Sequence, residues 1–225
     1  MKKLLFFLIL ELIFIFFLDK ILSDLIYNLY LKYKPLQTVT NLGNFLGNPS
    51  IITKFIILLF IFSLFLKLIL KFKVYSKDKQ EYIEKLYKIS LIISLSYLLS
   101  NAIGNLIKIL TLRERPFFTD NPLNFFCYSE AITKNLLWKT HYKSFPSGHV
   151  ICSSSLFFSL YFIFKTFKKD IYQKLILLFI FIPFLTALAR IALKAHWPSD
   201  TFLSLLLGYY VSYYVFKKIN LRENS

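Results

Sequence analysis

The sequence has only two cysteines, Cys127 and Cys152, together with one methionine and five glycines. It contains no glycine-rich phosphate loop, no metal-type Cys/His spacing and no internal repeat. Those absences argue against a nucleotide-binding loop, a metal site and a repeat architecture. Acidic residues are scarce too: 12 Asp+Glu stand against 28 Lys+Arg, a formal net charge of +16. Such a balance raises nucleic acid as a partner. The lysines, however, fall between apolar runs rather than along one face, so membrane topology explains the charge and no nucleic-acid partner is expected. A small-residue cleavage site is also missing. Asp19-Lys20 follows the apolar run at residues 4–18, so that run reads as an uncleaved span, interrupted by Glu11, rather than a secretory leader. Cys127 falls in a loop and Cys152 at membrane depth, so the two are not expected to pair.

What the sequence has in abundance is apolar surface. Of its 225 residues 56% are hydrophobic, 26 of them Phe, which is not the makeup of a soluble domain. The length fits one domain, residues 1–225. Apolar runs near the length needed to cross a ~30 Å hydrocarbon core begin at residue 4 and recur at 51–70, 89–110, 148–164, 175–189 and 201–216. The expected fold is therefore all-α, a polytopic membrane bundle of six transmembrane helices. Residues 35–50 read as a turn-rich connection and residues 72–88 as a short charged one. Six spans put both termini on one side. That side carries 16 of the 28 Lys and Arg, which makes both termini cytoplasmic, with the long polar segment 113–144 and the 190–200 turn outside.

Small residues recur at helical spacing, Gly148, Cys152, Ser155 and Ser159, then Ser204, Gly208 and Ser212, as expected of close helix packing. A polar stripe in the third span, Ser90, Ser94, Tyr97, Asn101, Asn105 and Lys108, should face the bundle interior, since polar groups in lipid are costly. Lys108 and Arg115 lie seven residues apart, two helical turns or about 10 Å, and so share a side near a helix end at Pro116. Arg113, Lys134, Lys139 and Lys143 read as topological anchors. Around Ser147, Pro146 and Gly148 mark a turn, and Ser147 is placed to cap the following helix. The amides there, with His149 in the first turn, suit an anion. Farther along, Arg190 precedes His196, Pro198 and Asp200. Asp200 stands about one turn from His196, where a carboxylate can fix one ring nitrogen and leave the other to attack. His141 reads as an ordinary loop histidine.

Taken together, Lys108…Arg115-Pro116, Pro146-Ser147-Gly148-His149 and Arg190…His196…Asp200 resemble the type 2 phosphatidic acid phosphatase superfamily, the lipid phosphate phosphatases, in its bacterial integral-membrane branch. The motif-bearing region is 108–200. Ala189 departs from the pattern, standing where the family often has Ser. The resemblance implies hydrolysis of a lipid phosphate or diphosphate through a phosphohistidine, with no metal and no cofactor. It implies His196 as nucleophile, Asp200 as its orienting partner and His149 as general acid. Lys108, Arg115, Ser147, Gly148 and Arg190 would bind the phosphoryl oxygens. The implied setting is the bacterial inner membrane, with the site at the external face and a bilayer lipid as substrate. Undecaprenyl diphosphate, phosphatidylglycerophosphate, phosphatidic acid and lipid A all fit. A phosphotransferase using the same intermediate is the alternative, and a non-enzymatic transporter or scaffold a more distant one.

Overall fold

A chain that enters hydrocarbon must satisfy its own amides, and this one does so with helices. The computed structural model describes residues 2–72, 76–135, 140–167 and 170–219, with the side chains of 2–4 and 170–174 outside that description. Lys139, and the charges counted above at Lys73, Lys168, Lys169 and Arg222, lie outside the described residues. In order come α1 (Lys2–Ile13), a π-helical turn (Phe14–Leu18), α2 (Asp19–Lys32), α3 (Lys34–Leu46), α4 (Pro49–Lys71) and α5 (Lys77–Thr111). The short α6 (Tyr128–Thr133) follows, then α7 (Gly148–Phe164), α8 (Asp170–Ala192) and α9 (Pro198–Ile219). No strand occurs among the described residues.

The all-α expectation stands, but the count of six spans does not. Among the described residues only three helical runs are long and apolar enough to cross a membrane: Lys34–Lys71, Lys77–Thr111 and Leu175–Ala192. The others fall short for identifiable reasons. The first segment carries Glu11, Asp19 and Lys20 and is broken by the π-helical turn. α7 is apolar but has only 17 residues, about 26 Å of rise. α9 is diluted by Tyr209, Tyr210, Tyr213 and Tyr214 and by its small polar residues. Two connections were also misjudged. Residues 34–46 form α3, started by Pro35 in its first turn, and the charged stretch from Lys77 is simply the beginning of the 35-residue α5.

α7 is the central helix, wedged between α5, α8 and α9. Its small residues do what their spacing suggested. Ser159 Oγ donates to Ser212 Oγ at 3.1 Å, Ser212 Oγ to the Ser155 carbonyl at 3.1 Å, and Ser154 Oγ to the Ser204 carbonyl at 3.1 Å. A Cβ on Gly208 would lie 2.9 Å from the Ser154 backbone carbon, so only glycine permits this approach of α7 and α9. Around that centre, α4 lies on α5 and α3 on α8. The α1–π-turn segment runs along α9, with Phe14 stacked on Phe202 at 5.2 Å and Phe7 edge-on to Tyr210 at 6.2 Å. Outward faces are apolar, as at Leu58, Phe65, Leu177 and Phe181, which suits lipid contact.

The polar stripe of α5 is buried at Ser90, Ser94 and Tyr97. Tyr97 Oη meets Thr53 Oγ1 at 2.5 Å and Cys152 Sγ at 3.4 Å, and Asn101 Nδ2 donates to the Tyr97 carbonyl at 2.9 Å. Asn105 is exposed and does not share the burial of the stripe. Because the helices alternate in direction, the end of α5, the start of α7, the end of α8 and the start of α9 meet at one end of the bundle. The site is there.

Candidate active site

The last turn of α5 has four carbonyls to satisfy, and the chain beyond it folds back to do so. Leu112, buried and left-handed at φ 36°, ends the helix with its amide on the Lys108 carbonyl at 3.1 Å. Tyr128 Oη donates to the carbonyls of Ile109 and Leu110, each at 2.9 Å, and the Phe126 amide donates to Thr111 O at 2.6 Å. The helix thus stops at Thr111 rather than near Pro116. Lys108 lies within it and Arg115 beyond it, so the two do not share a continuous helix face. They meet because the chain turns: Arg115 N donates to His141 O at 3.2 Å and Ser144 N to Arg113 O at 3.0 Å, bringing residues 141–147 alongside 113–115.

That pairing sets the surroundings of the α7 N-terminus. Phe145-Pro146 is a cis peptide. Lys108 Nζ donates to the Pro146 and Lys143 carbonyls, and its Nζ lies 4.0 Å from where a Gly148 Cβ would be, over the start of α7. Ser147 is the N-terminal flanking residue of α7 but makes no side-chain cap. Its amide instead donates to the Asp200 carbonyl at 3.1 Å, which ties α7 to α9. Ser147 Oγ, Arg115 Nε and Arg190 Nε are all buried, and none has a hydrogen-bond partner. Arg190 is held from outside by Asn44, whose Oδ1 accepts from Nη1 at 2.6 Å. The charges of Arg190, Arg115 and Lys108 all act on His149 and on His196, so the eight residues singled out in the sequence converge on one region. Ala189, where the family often has Ser, is fully buried, and its Cβ is 3.0 Å from where one on Gly43 would be, so α3 packs at that point.

His196 is buried, with Nδ1 2.7 Å from the Ser144 carbonyl and 3.6 Å from Asp200 Oδ2. A carbonyl can only accept, so Nδ1 carries the proton and Nε2 is left with its lone pair. The expected Asp200 contact is therefore the longer one, and the tautomer is fixed mainly by backbone. Burial holds the imidazole well below its ordinary titration range. Asp200 opposes that shift, and the three cations add to it. The ring is neutral at ordinary pH.

Asp200 is tied down on every side. Its Oδ2 accepts from the Trp197 amide at 2.7 Å, the return half of a capping box for α9, and from Ser144 Oγ. Its Oδ1 accepts from Arg113 Nη1 at 2.5 Å. Arg113 is not the surface anchor its position suggested. It is wholly buried, under the ring of Phe125 at 4.4 Å, and also bonds Ser199 Oγ at 2.6 Å, the Pro122 carbonyl at 2.7 Å and Asp19 Oδ2 at 2.6 Å. The sequence reading missed Arg113, Asp19, Ser144 and Asn44. An acid inside an apolar run was the available signal for Asp19. Lys134 is an exposed partner of Glu130 at 3.7 Å, as an anchor would be, and His141 bonds Glu114 Oε1 through Nε2 at 2.6 Å. Among the described residues no group of three or more His, Cys, Asp and Glu is arranged to hold a metal ion.

With this geometry in view, the comparisons are specific. Residues 89–223 match the PAP2 superfamily, more than half of the chain, and the protein belongs to that superfamily: it is a membrane-associated phosphohydrolase of the PAP2 class. Its fold is similar to that in the crystal structure of Aquifex aeolicus LpxE, with a TM-score of 0.51 and 22% identity over 90% of this chain and 96% of the other. No curated protein matches the chain.

The buried ion pairs carry a stability prediction. Removing Arg113 leaves Asp19 and Asp200 as unpaired buried carboxylates, so Arg113→Ala should destabilise the protein by about 3–5 kcal/mol. Thermal unfolding in detergent checks this. An unfolding temperature equal to wild type would show that the pair adds nothing.

Proposed function

We propose that the chain hydrolyses the phosphate or diphosphate group of a bilayer lipid through a phosphohistidine on His196. The observation that carries the reading is the set of three buried, unpartnered donors, Ser147 Oγ, Arg115 Nε and Arg190 Nε, drawn from three separate motifs beside a helix N-terminus. Buried donors without partners are costly, and a phosphoryl group supplies the missing acceptors. Lys108 and the Gly148 amide complete the cradle. Three cations there stabilise the charge spread over the equatorial oxygens, the part that Mg²⁺ plays in other phosphoryl transfers, so the reaction needs no metal.

In the first step Nε2 of neutral His196 attacks phosphorus and the bond to the lipid oxygen breaks, and His149, whose protonated form the bound phosphate's negative charge favours against burial and the three cations, gives that oxygen its proton. His149 in its basic form then takes a proton from water as the water attacks the phosphohistidine, releasing phosphate and restoring both rings. As positive charge develops on His196, the nearby Asp200 carboxylate and the Ser144 carbonyl offset it. Undecaprenyl diphosphate, phosphatidylglycerophosphate, phosphatidic acid and lipid A all present the required group.

The site is assigned to the outer surface of the bacterial inner membrane. With six spans withdrawn, the parity of the termini no longer supports this, but charge does. Lys71, Lys77, Lys165, Lys217 and Lys218 stand at the helix ends away from the site, as residues on the cytoplasmic side do.

Two outcomes test the proposal. A lipid alkoxide leaves poorly without a proton, so His149→Ala should lose about 10²–10⁴-fold in kcat/KM on the lipid and recover part of that on an activated aryl phosphate. His196→Ala should be inactive on both, with all assays run in chelator. Equal losses for His149→Ala on the two substrates would remove its role as acid, and turnover by His196→Ala would remove the nucleophile. For orientation, a membrane-impermeant thiol reagent should label partly exposed Cys127 in intact cells, and Cys127→Ser should abolish that label. Labelling only after lysis would move the site to the cytoplasmic face.

A further inference from the structure

The family match begins at residue 89, yet two residues well before it reach into the site. Asp19, the first residue of α2, is wholly buried. Its Oδ1 accepts from the Ser199 amide at 2.8 Å, and its Oδ2 accepts from Ser199 Oγ at 2.5 Å and Arg113 Nη2 at 2.6 Å. Asn44, in α3, accepts from Arg190 Nη1 at 2.6 Å. The first contact bears on the support of the nucleophile and the second on the phosphate cradle.

We infer that Asp19 and Asn44 are positioning residues for the reaction, a role that rests on the parts assigned above to His196 and Arg190. The argument for Asp19 is geometric. A guanidinium prefers to grip one carboxylate with two parallel bonds. Here Arg113 gives Asp200 only one, Nη1 to Oδ1, because Asp19 and the Pro122 carbonyl occupy Nη2. Asp200 Oδ2 therefore stays with the Trp197 amide and Ser144 Oγ, and the carbonyl of that same Ser144 orients His196. Without Asp19 the fork can turn onto both Asp200 oxygens and draw Oδ2 off Ser144. Asp19 thus acts on His196 at two removes while touching neither it nor substrate. Asn44 does the simpler thing: by holding one end of the Arg190 guanidinium, it fixes the direction in which the unpartnered Nε points.

Two inhibitors separate these effects from mere structural damage, because an inhibition constant does not change when part of the protein is unfolded. Vanadate bonds to an attacking nitrogen, whereas inorganic phosphate only occupies the cradle. In the full-length protein, Asp19→Asn should lower kcat and weaken vanadate inhibition by about tenfold, as a misplaced nucleophile does, while phosphate inhibition stays unchanged. Asn44→Ala should weaken both inhibitors alike, by about five- to tenfold, the net worth of one ordinary hydrogen bond, with the loss seen in KM. Ser199→Ala removes the hydroxyl between Asp19 and Arg113 and keeps every charge; it should repeat the Asp19→Asn pattern in weaker form, and it carries the test if Asp19→Asn does not fold. A vanadate-to-phosphate ratio equal to wild type in both of these variants overturns the role of Asp19, and unchanged phosphate inhibition in Asn44→Ala overturns that of Asn44. His196→Ala run alongside marks the other failure: if it turns over, or still binds vanadate as wild type does, the nucleophile assignment falls and not merely its support.

Discussion

One buried guanidinium holds this site together. Arg113 joins the start of α2 through Asp19, the start of α9 through Ser199 and Asp200, and the loop after α5 through Pro122. Two carboxylates at zero exposure could not be kept charged in an apolar bundle without it. In turn, Asp200 orders Trp197, Ser144 and the first turn of α9. The His196 ring reads its orientation from the Ser144 carbonyl. The orientation of the proposed nucleophile is thus the far end of an ion-pair network whose near end, Arg113, is held wholly by protein groups.

The charge arrangement around the reacting groups follows a different logic. Lys108, Arg115 and Arg190 come from three segments and bear together on both histidines. Like charges collected at the end of an apolar bundle repel one another. In the proposed reaction the substrate's phosphoryl group offsets that repulsion, helped by the amides at the start of α7. Arg113 spends its donors on protein carboxylates and carbonyls, whereas Arg115 and Arg190 each keep a buried donor unpartnered. Two arginines two residues apart therefore differ: Arg113 is used up in holding the fold, whereas Arg115 keeps a donor that the proposed reaction directs at the phosphoryl group.

Much of this was legible in the sequence. The residues proposed for the site could be picked out because their spacing within each motif is local, as for Ser147 with His149 and His196 with Asp200. Lys108 and Arg115 were picked out together too, but they meet through the chain's return at residues 141–147 and not along one helix face. Small-residue stripes announced the α7–α9 contact for the same reason. Contacts between distant segments left no such trace. Asp19 and Arg113 are 94 residues apart, and nothing in either neighbourhood names the other. Arg113 was misread because a helix-end arginine and a buried one look alike until the helix end is located. That end, the left-handed Leu112, sits at an ordinary leucine rather than at the Pro116 that marked it in the sequence. The span count failed differently: apolar runs were counted whole, although Glu11, Asp19 and the α9 tyrosines weaken two of them and α7 is short.

The central claim is that neutral His196, oriented by this network, attacks phosphorus. It is tested most directly by rapid quenching of the full-length protein during turnover of a lipid labelled in its terminal phosphate, followed by peptide mapping. The account predicts an acid-labile, base-stable label on the peptide containing His196, formed and lost at rates that match turnover. A label on any other residue, or product appearing at full rate with no labelled protein at any time point, would contradict it.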